Sequence, residues 1–225
     1  ALMQAWAMKE FLKSKGFNVE FVNHKNTSIW KYYSIFDLKY IKSKSRIKSL
    51  FKLSLYPFIV VARAIRYKKF DRFINNELPE NKEKDNINSY QILIVGSDQV
   101  WNYKLTGGFD KYYWGNIKTN EQIYIAYAVS MNMTNIKYKD EICRYLNNFS
   151  AISVREIMLK DQLKDLTNKK IELVADPTLL ITQTIWNKII KESIKDEDYV
   201  LSYPLRESNT VKTIAKQLAK TNNIN

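Results

Sequence analysis

Four short polar clusters each follow an apolar run, and their residue types suit the binding of an anion and the movement of a proton. The first is Gly96-Ser97-Asp98-Gln99-Val100-Trp101-Asn102, the second Ser130, the third Arg155-Glu156 and the fourth Asp176-Pro177. Gly96 lets the backbone turn sharply and lets a ligand come close, because it carries no Cβ. Ser97, Asp98, Gln99 and Asn102 bring hydroxyl, carboxylate and amide groups, and Trp101 offers a plane for stacking or packing. Ser, Asp and Gly at such places are ordinary helix caps and turn residues, but arginine is not a capping choice. The Arg155 guanidinium offers paired donors matched to phosphate or carboxylate. Its plainer alternative is a structural ion pair with Glu156 or Asp176.

The elements that must position these clusters follow from hydrophobic periodicity. Residues 92–95, 123–129, 151–154 and 171–175 are short apolar runs, with amphipathic helical patterns near 139–147 and 156–165 between the last three. Runs this apolar predict strands buried on both faces, and their alternation with helices predicts a parallel sheet. The expected fold class is α/β, a doubly wound Rossmann-like parallel sheet. In open parallel sheets ligands bind beyond the carboxyl ends of the strands, where all four clusters fall.

Upstream, Leu2, Ala5, Trp6, Met8, Phe11 and Leu12 share one face of an opening helix, Gly16 suits its C-cap, and residues 19–22 read as a strand. Residues 28–78 read as a helical basic insertion interrupted at Pro57, with a polar linker at 79–89. A helix near 183–193, a strand at 199–203 and a helix near 208–221 close the chain. The expected domains are 1–180, Rossmann-like but lacking its first strand, and 181–225, a linker helix and the start of a second such domain. A chain that opens in helical rhythm without an initiator Met reads as a piece of a longer protein.

Composition narrows the partners. The chain is 45% hydrophobic and 26% charged over 225 residues, which excludes wholesale disorder. Its charge is 36 − 23 = +13. Segment 39–72 alone holds eleven basic residues against one acid, so the excess belongs to one helical stretch. That stretch lacks the arginine-with-aromatic character of a stacking platform, which disfavours nucleic acid. Two roles remain for it: an insertion packing apolar residues inward, or a peripheral contact with an anionic membrane. Lone Cys143 permits no intramolecular disulfide and is expected in the core, His24 is expected in a loop contact, and no Cys/His cluster suggests a metal. Asp196-Glu197-Asp198 has the acid-x-acid form of metal-dependent glycosyltransferases, though a solvated turn is the simpler reading.

The strand-end clusters, together with Tyr127-Ala128-Val129-Ser130, Ser153-Val154-Arg155-Glu156 and Ala175-Asp176-Pro177-Thr178-Leu179-Leu180, resemble in order and spacing the polysaccharide pyruvyl transferase family. The opening helix and the Phe70–Phe73 stretch add to the resemblance, which covers most of residues 1–186. It implies a transferase moving a pyruvyl group from phosphoenolpyruvate to a sugar of a cell-surface or exopolysaccharide, as a ketal. It implies no cofactor beyond that donor, a glycosyltransferase-B-like two-domain arrangement truncated in its second domain, and a catalytically incomplete fragment. A bacterial, cytoplasmic setting, peripheral at the inner face of the membrane, and a sugar or lipid-linked glycan acceptor go with it. On this reading Asp98 and Arg155 are catalytic, and Gly96, Ser97, Gln99, Trp101, Asn102, Ser130, Glu156 and Asp176 bind substrate. The alternatives are a nucleotide-sugar glycosyltransferase of the same build and a non-catalytic glycan-binding relative.

Overall fold

The computed structural model describes residues 2–22, 24, 26–32, 34–36, 46–78, 87–116, 121–132, 136–190, 198–204 and 208–224. It divides into two compact units, 1–182 and 183–225.

The first unit is built on a parallel sheet of four strands in the order β1 (Ile92–Gly96), β2 (Ile123–Val129), β3 (Ala151–Val154) and β4 (Ile171–Leu173). All four coincide with the apolar runs. Helix α5 (Lys139–Leu146) links β2 to β3, and α6 (Ile157–Leu163) links β3 to β4. One sheet face, carrying Leu93, Val95, Tyr124, Ala126, Ile152, Val154 and Ile171, packs against Ile142 and Leu146 of α5 and Leu159 and Leu163 of α6. The other face is not filled in the same way. Ile94 is 38% exposed and Ile123 46%, so the expectation of strands buried on both faces is corrected to alternation. Cys143, expected in the core, is exposed on α5, because Ile142 and Leu146 carry that helix's buried stripe.

The β2–β3 pairing shifts register between Ala126 and Val129. Ser153 repairs the break: its buried Oγ accepts from Ala128 N and donates to Ala126 O, both at 3.1 Å. Two backbone groups that the shift deprives of ladder partners are thereby satisfied.

Helix α1 (Leu2–Ser14) buries Trp6, Ala7 and Lys9, a face rotated from the one expected. The cause is polar. Trp6 Nε1 donates to Glu77 Oε2 at 3.1 Å and Lys9 Nζ to Glu77 O at 2.5 Å, fastening α1 to the end of α3 (Arg46–Glu77). That helix runs unbroken through Pro57, where an interruption was expected. A mid-helix proline costs one hydrogen bond and some strain, but it often bends a helix rather than ending it. Residues 19–22 hold only an isolated bridge at Phe21, and 199–203 form no strand. An extended segment needs a neighbouring strand, and among the described residues of 183–225 there is none, so Leu201 (79%) and Tyr203 (85%) stay exposed. That unit contains α7 (Gln183–Trp186) and α8 (Asn209–Thr221), the latter capped by Ser208 Oγ accepting from Val211 N. Residues 196 and 197 lie outside the described set.

Candidate active site

The carboxyl ends of the four strands are laced together by side chains. At β1, Gly96 takes a φ of +137°, and the loop that follows is pinned from within. Asp98 O accepts from Val100 N at 2.7 Å and from Ser130 N at 3.2 Å, tying this loop to the end of β2. Asp98 Oδ1 accepts from Gln99 N at 2.8 Å. Gln99 Oε1 in turn accepts from Asn102 Nδ2 at 2.8 Å, and Asn102 Oδ1 caps α4 (Tyr103–Thr106) by accepting from Lys104 N. Ser97 and Asn102 are both buried.

Trp101, expected as a ligand contact, is placed in the core instead. It is 1% exposed, stacks on Trp114 at a centroid distance of 4.1 Å, meets Phe149 edge-on and donates Nε1 to Tyr113 O. An indole with its N–H satisfied and both neighbours aromatic gains more from burial than from solvent.

At β2 and β3 two expected residues meet: buried Ser130 donates Oγ to Glu156 Oε1 at 2.5 Å. Arg155 donates Nη1 to Asp176 Oδ2 at 2.5 Å, so the structural ion pair considered from sequence exists. Asp176 is saturated. Its Oδ1 accepts from Thr178 N and Oγ1, capping the turn Pro177–Leu179, while Oδ2 also accepts from Gln4 Nε2. Burial pushes the Asp176 carboxyl up, but the hydrogen bonds from Thr178, Gln4 and Arg155 outweigh it and hold the group below the usual carboxylate range. Gln4 donates to Ser97 O as well, at 3.2 Å, so the first turn of α1 bridges the ends of β1 and β4. Nothing in the sequence marked Gln4, a lone polar residue in an apolar helix pattern.

Two buried polar atoms of this cluster lack a hydrogen-bond partner: Arg155 Nε and Glu156 Oε2. Native proteins rarely leave such atoms unsatisfied, and a ligand group that accepts from one and donates to the other would complete both. With Nη1 taken by Asp176, Nε belongs to the edge of the guanidinium that presents parallel donors.

A second cluster brings residues from either side of the sheet's first strand together. His24 Nε2 lies 2.9 Å from Asp110 Oδ2, and the imidazole stacks on Tyr112 at 3.9 Å and 7°. His24 thus keeps the expected loop contact, with its side chain 26% exposed. Asp110 was not foreseen. Its one local signal is its place as the cap of the turn Lys111–Trp114, accepting from Tyr112 N. Burial and the Asp110 charge push the Tyr113 phenol up to about 12. Among the described residues no group of three or more metal-ligating side chains occurs.

Fold and site together define an α/β protein whose parallel sheet carries a ligand-suited arginine–carboxylate cluster at its carboxyl edge. More narrowly, the chain belongs to the polysaccharide pyruvyl transferase family, whose family model matches residues 1–225. Membership implies a transferase with a pyruvyl-transfer role. No curated protein and no solved structure matches the chain.

Proposed function

We propose that this protein takes the pyruvyl group of phosphoenolpyruvate and closes it as a ketal across two hydroxyls of a cell-surface glycan sugar. The observation that carries the reading is that two buried atoms of consecutive residues at the sheet edge, Arg155 Nε and Glu156 Oε2, lack a hydrogen-bond partner. The Arg155 edge holds the donor's phosphate or carboxylate, and Asp176 keeps that guanidinium in place. Asp98 and Glu156 receive sugar hydroxyls, while Gly96, Ser97, Gln99, Asn102 and Ser130 shape the loops around them. In the reaction one hydroxyl oxygen bonds to C2 of the donor and C3 gains a proton to become methyl. The C2–phosphate oxygen bond then breaks and the second hydroxyl closes the ketal. Two hydroxyl protons are released, and in net balance one goes to C3 and one to phosphate. The donor carries its own leaving group, so the reading calls for no further cofactor.

Thermal unfolding of the full-length protein with candidate donors tests this. Phosphoenolpyruvate should raise the melting temperature and nucleotide sugars should not, whereas the reverse would establish the glycosyltransferase alternative. Arg155→Lys keeps the charge facing Asp176 but loses the paired-donor edge, so donor affinity should fall about 10- to 100-fold, near 1.5–3 kcal/mol. Unchanged affinity in Arg155→Lys would remove Arg155 from the donor site.

We further propose peripheral attachment to the cytoplasmic membrane face through α3, which exposes Phe58 (74%), Val61 (59%), Leu53 (51%) and Ile65 (54%) on a helix rich in Lys and Arg. No helix among the described residues is long and apolar enough to cross a membrane. The protein should co-sediment with phosphatidylserine vesicles and be released by added salt. Equal binding to neutral vesicles, or none to either, would refute the attachment.

A further inference from the structure

We infer that His24 and Asp110 form a proton-transfer pair, with His24 Nδ1 accepting the proton of a sugar hydroxyl bound in the cavity beside β1. The inference rests on the transferase reading above. That cavity, of about 440 Å³, lies between α1, residues 17–22 and the β1–β2 strands. Its lining includes Gly96 and Ser97 of the sheet-edge cluster and also His24 and Tyr112, so one space joins the two clusters. Asp110 does not line it and acts on it only through His24.

The tautomer of the ring follows from its partners. Asp110 Oδ2 accepts from Asn26 Nδ2 at 2.7 Å as well as facing His24 Nε2, and Oδ1 accepts from Tyr112 N at 3.1 Å. Burial alone would raise the Asp110 carboxyl, but hydrogen bonds from His24 and Asn26 prevail and keep it ionised. An ionised carboxylate only accepts, so Nε2 carries the hydrogen, and in the neutral ring this tautomer leaves Nδ1 bare. Nδ1 has no partner among the described residues. Tyr112 stacks on one ring face and Tyr113 meets the ring edge-on at 5.1 Å, so the imidazole is held in one orientation. A base oriented by a half-buried carboxylate and open on its far nitrogen is the arrangement that activates a hydroxyl. As the sugar oxygen bonds to C2 of the donor, its O–H bond breaks and the proton rests on Nδ1, with Asp110 stabilising the imidazolium. Departing phosphate takes that proton and the ring returns to neutral, while the second hydroxyl supplies in net balance the proton gained by C3.

His24 is the only histidine of these 225 residues, so its ring nitrogens can be read without assignment in ¹⁵N NMR of this chain. The expected spectrum shows hydrogen on Nε2 and a bare Nδ1, a preference that Asp110→Asn weakens. Hydrogen on Nδ1 instead would overturn the pair. Phosphate release from phosphoenolpyruvate, with purified cell-surface glycan as acceptor, should fall about 10²- to 10⁴-fold in His24→Ala. Added imidazole should restore part of it, which no merely structural role of the ring predicts. A His24→Ala rate equal to wild type, or a loss that imidazole leaves untouched, would also overturn the inference. Wild type that releases no phosphate would refute the transferase reading, and with it the sugar hydroxyl as the proton's source. The NMR tautomer would still decide whether the pair exists.

Discussion

Gly96→Ala should lower the unfolding free energy by about 3–5 kcal/mol, whereas Gly108→Ala should cost about 1–2 kcal/mol. Both glycines sit at a φ of +137°, a value that strains any residue with a Cβ, so both replacements carry a backbone cost. Their surroundings differ. A Cβ on Gly96 would stand 1.9 Å from the Tyr127 carbonyl oxygen and 3.0 Å from its carbon, while nothing lies within 4 Å of one on Gly108. The obstacle at Gly96 is backbone, and Tyr127 is its partner in the β1–β2 register. Relief therefore requires the two strands to separate at the edge where Ser97 and Ser130 are held. Urea titrations followed by circular dichroism give both losses. Equal losses would mean that β1 shifts freely and that the close approach at Gly96 does not constrain the sheet edge.

The strands were legible because each is a compact apolar run between polar clusters, and a parallel sheet puts all four clusters at one edge. That geometry also let Ser97, Ser130, Arg155, Glu156 and Asp176 be read as neighbours from residues 97 to 176. What the pattern could not show is which way a side chain in a tight loop turns. Trp101 sits among polar residues in sequence, yet the nearby Trp114 and Phe149 rings draw it inward. Contacts across long stretches of chain were equally hidden. Gln4 reaches Asp176, and His24 reaches Asp110, through pairings that no periodicity encodes. The Val19–Val22 and Tyr199–Tyr203 runs have strand-like composition but lack a described ladder to join, and composition alone cannot supply a partner. Lys9 turned the buried face of α1 away from the expected one for a related reason: its acceptors lie in α3, far along the chain.

Asp176→Ala should cost about 2–4 kcal/mol, since one carboxylate serves three structural partners. Its removal leaves Arg155 Nη1 without its acceptor, frees Gln4 from the β4 end and uncaps Thr178 N, all at a site where both members of the ion pair are mostly buried. Asp176→Asn retains an oxygen for the Thr178 cap and so should lose less, separating the charge from the cap. The charge also leaves a signature in pH. Because the folded-state pKa of Asp176 lies below its unfolded value of about 4, its contribution is fully present above that value. It is lost as pH falls through the depressed folded value, where the native carboxylate must take up a proton it binds weakly. Asp110 is shifted in the same direction and adds to the same acid limb. Urea midpoints between pH 2 and pH 7 should fall steeply below pH 4 in wild type and less steeply in Asp176→Asn. The limb that remains should flatten further when Asp110→Asn is added, because the two carboxylates share no partner and their contributions should add. An acid limb of unchanged slope in Asp176→Asn would mean that the Arg155–Asp176 pair positions the guanidinium without stabilising the fold. The sheet edge would then owe its order to the Asp98, Ser130 and Gln4 hydrogen bonds alone.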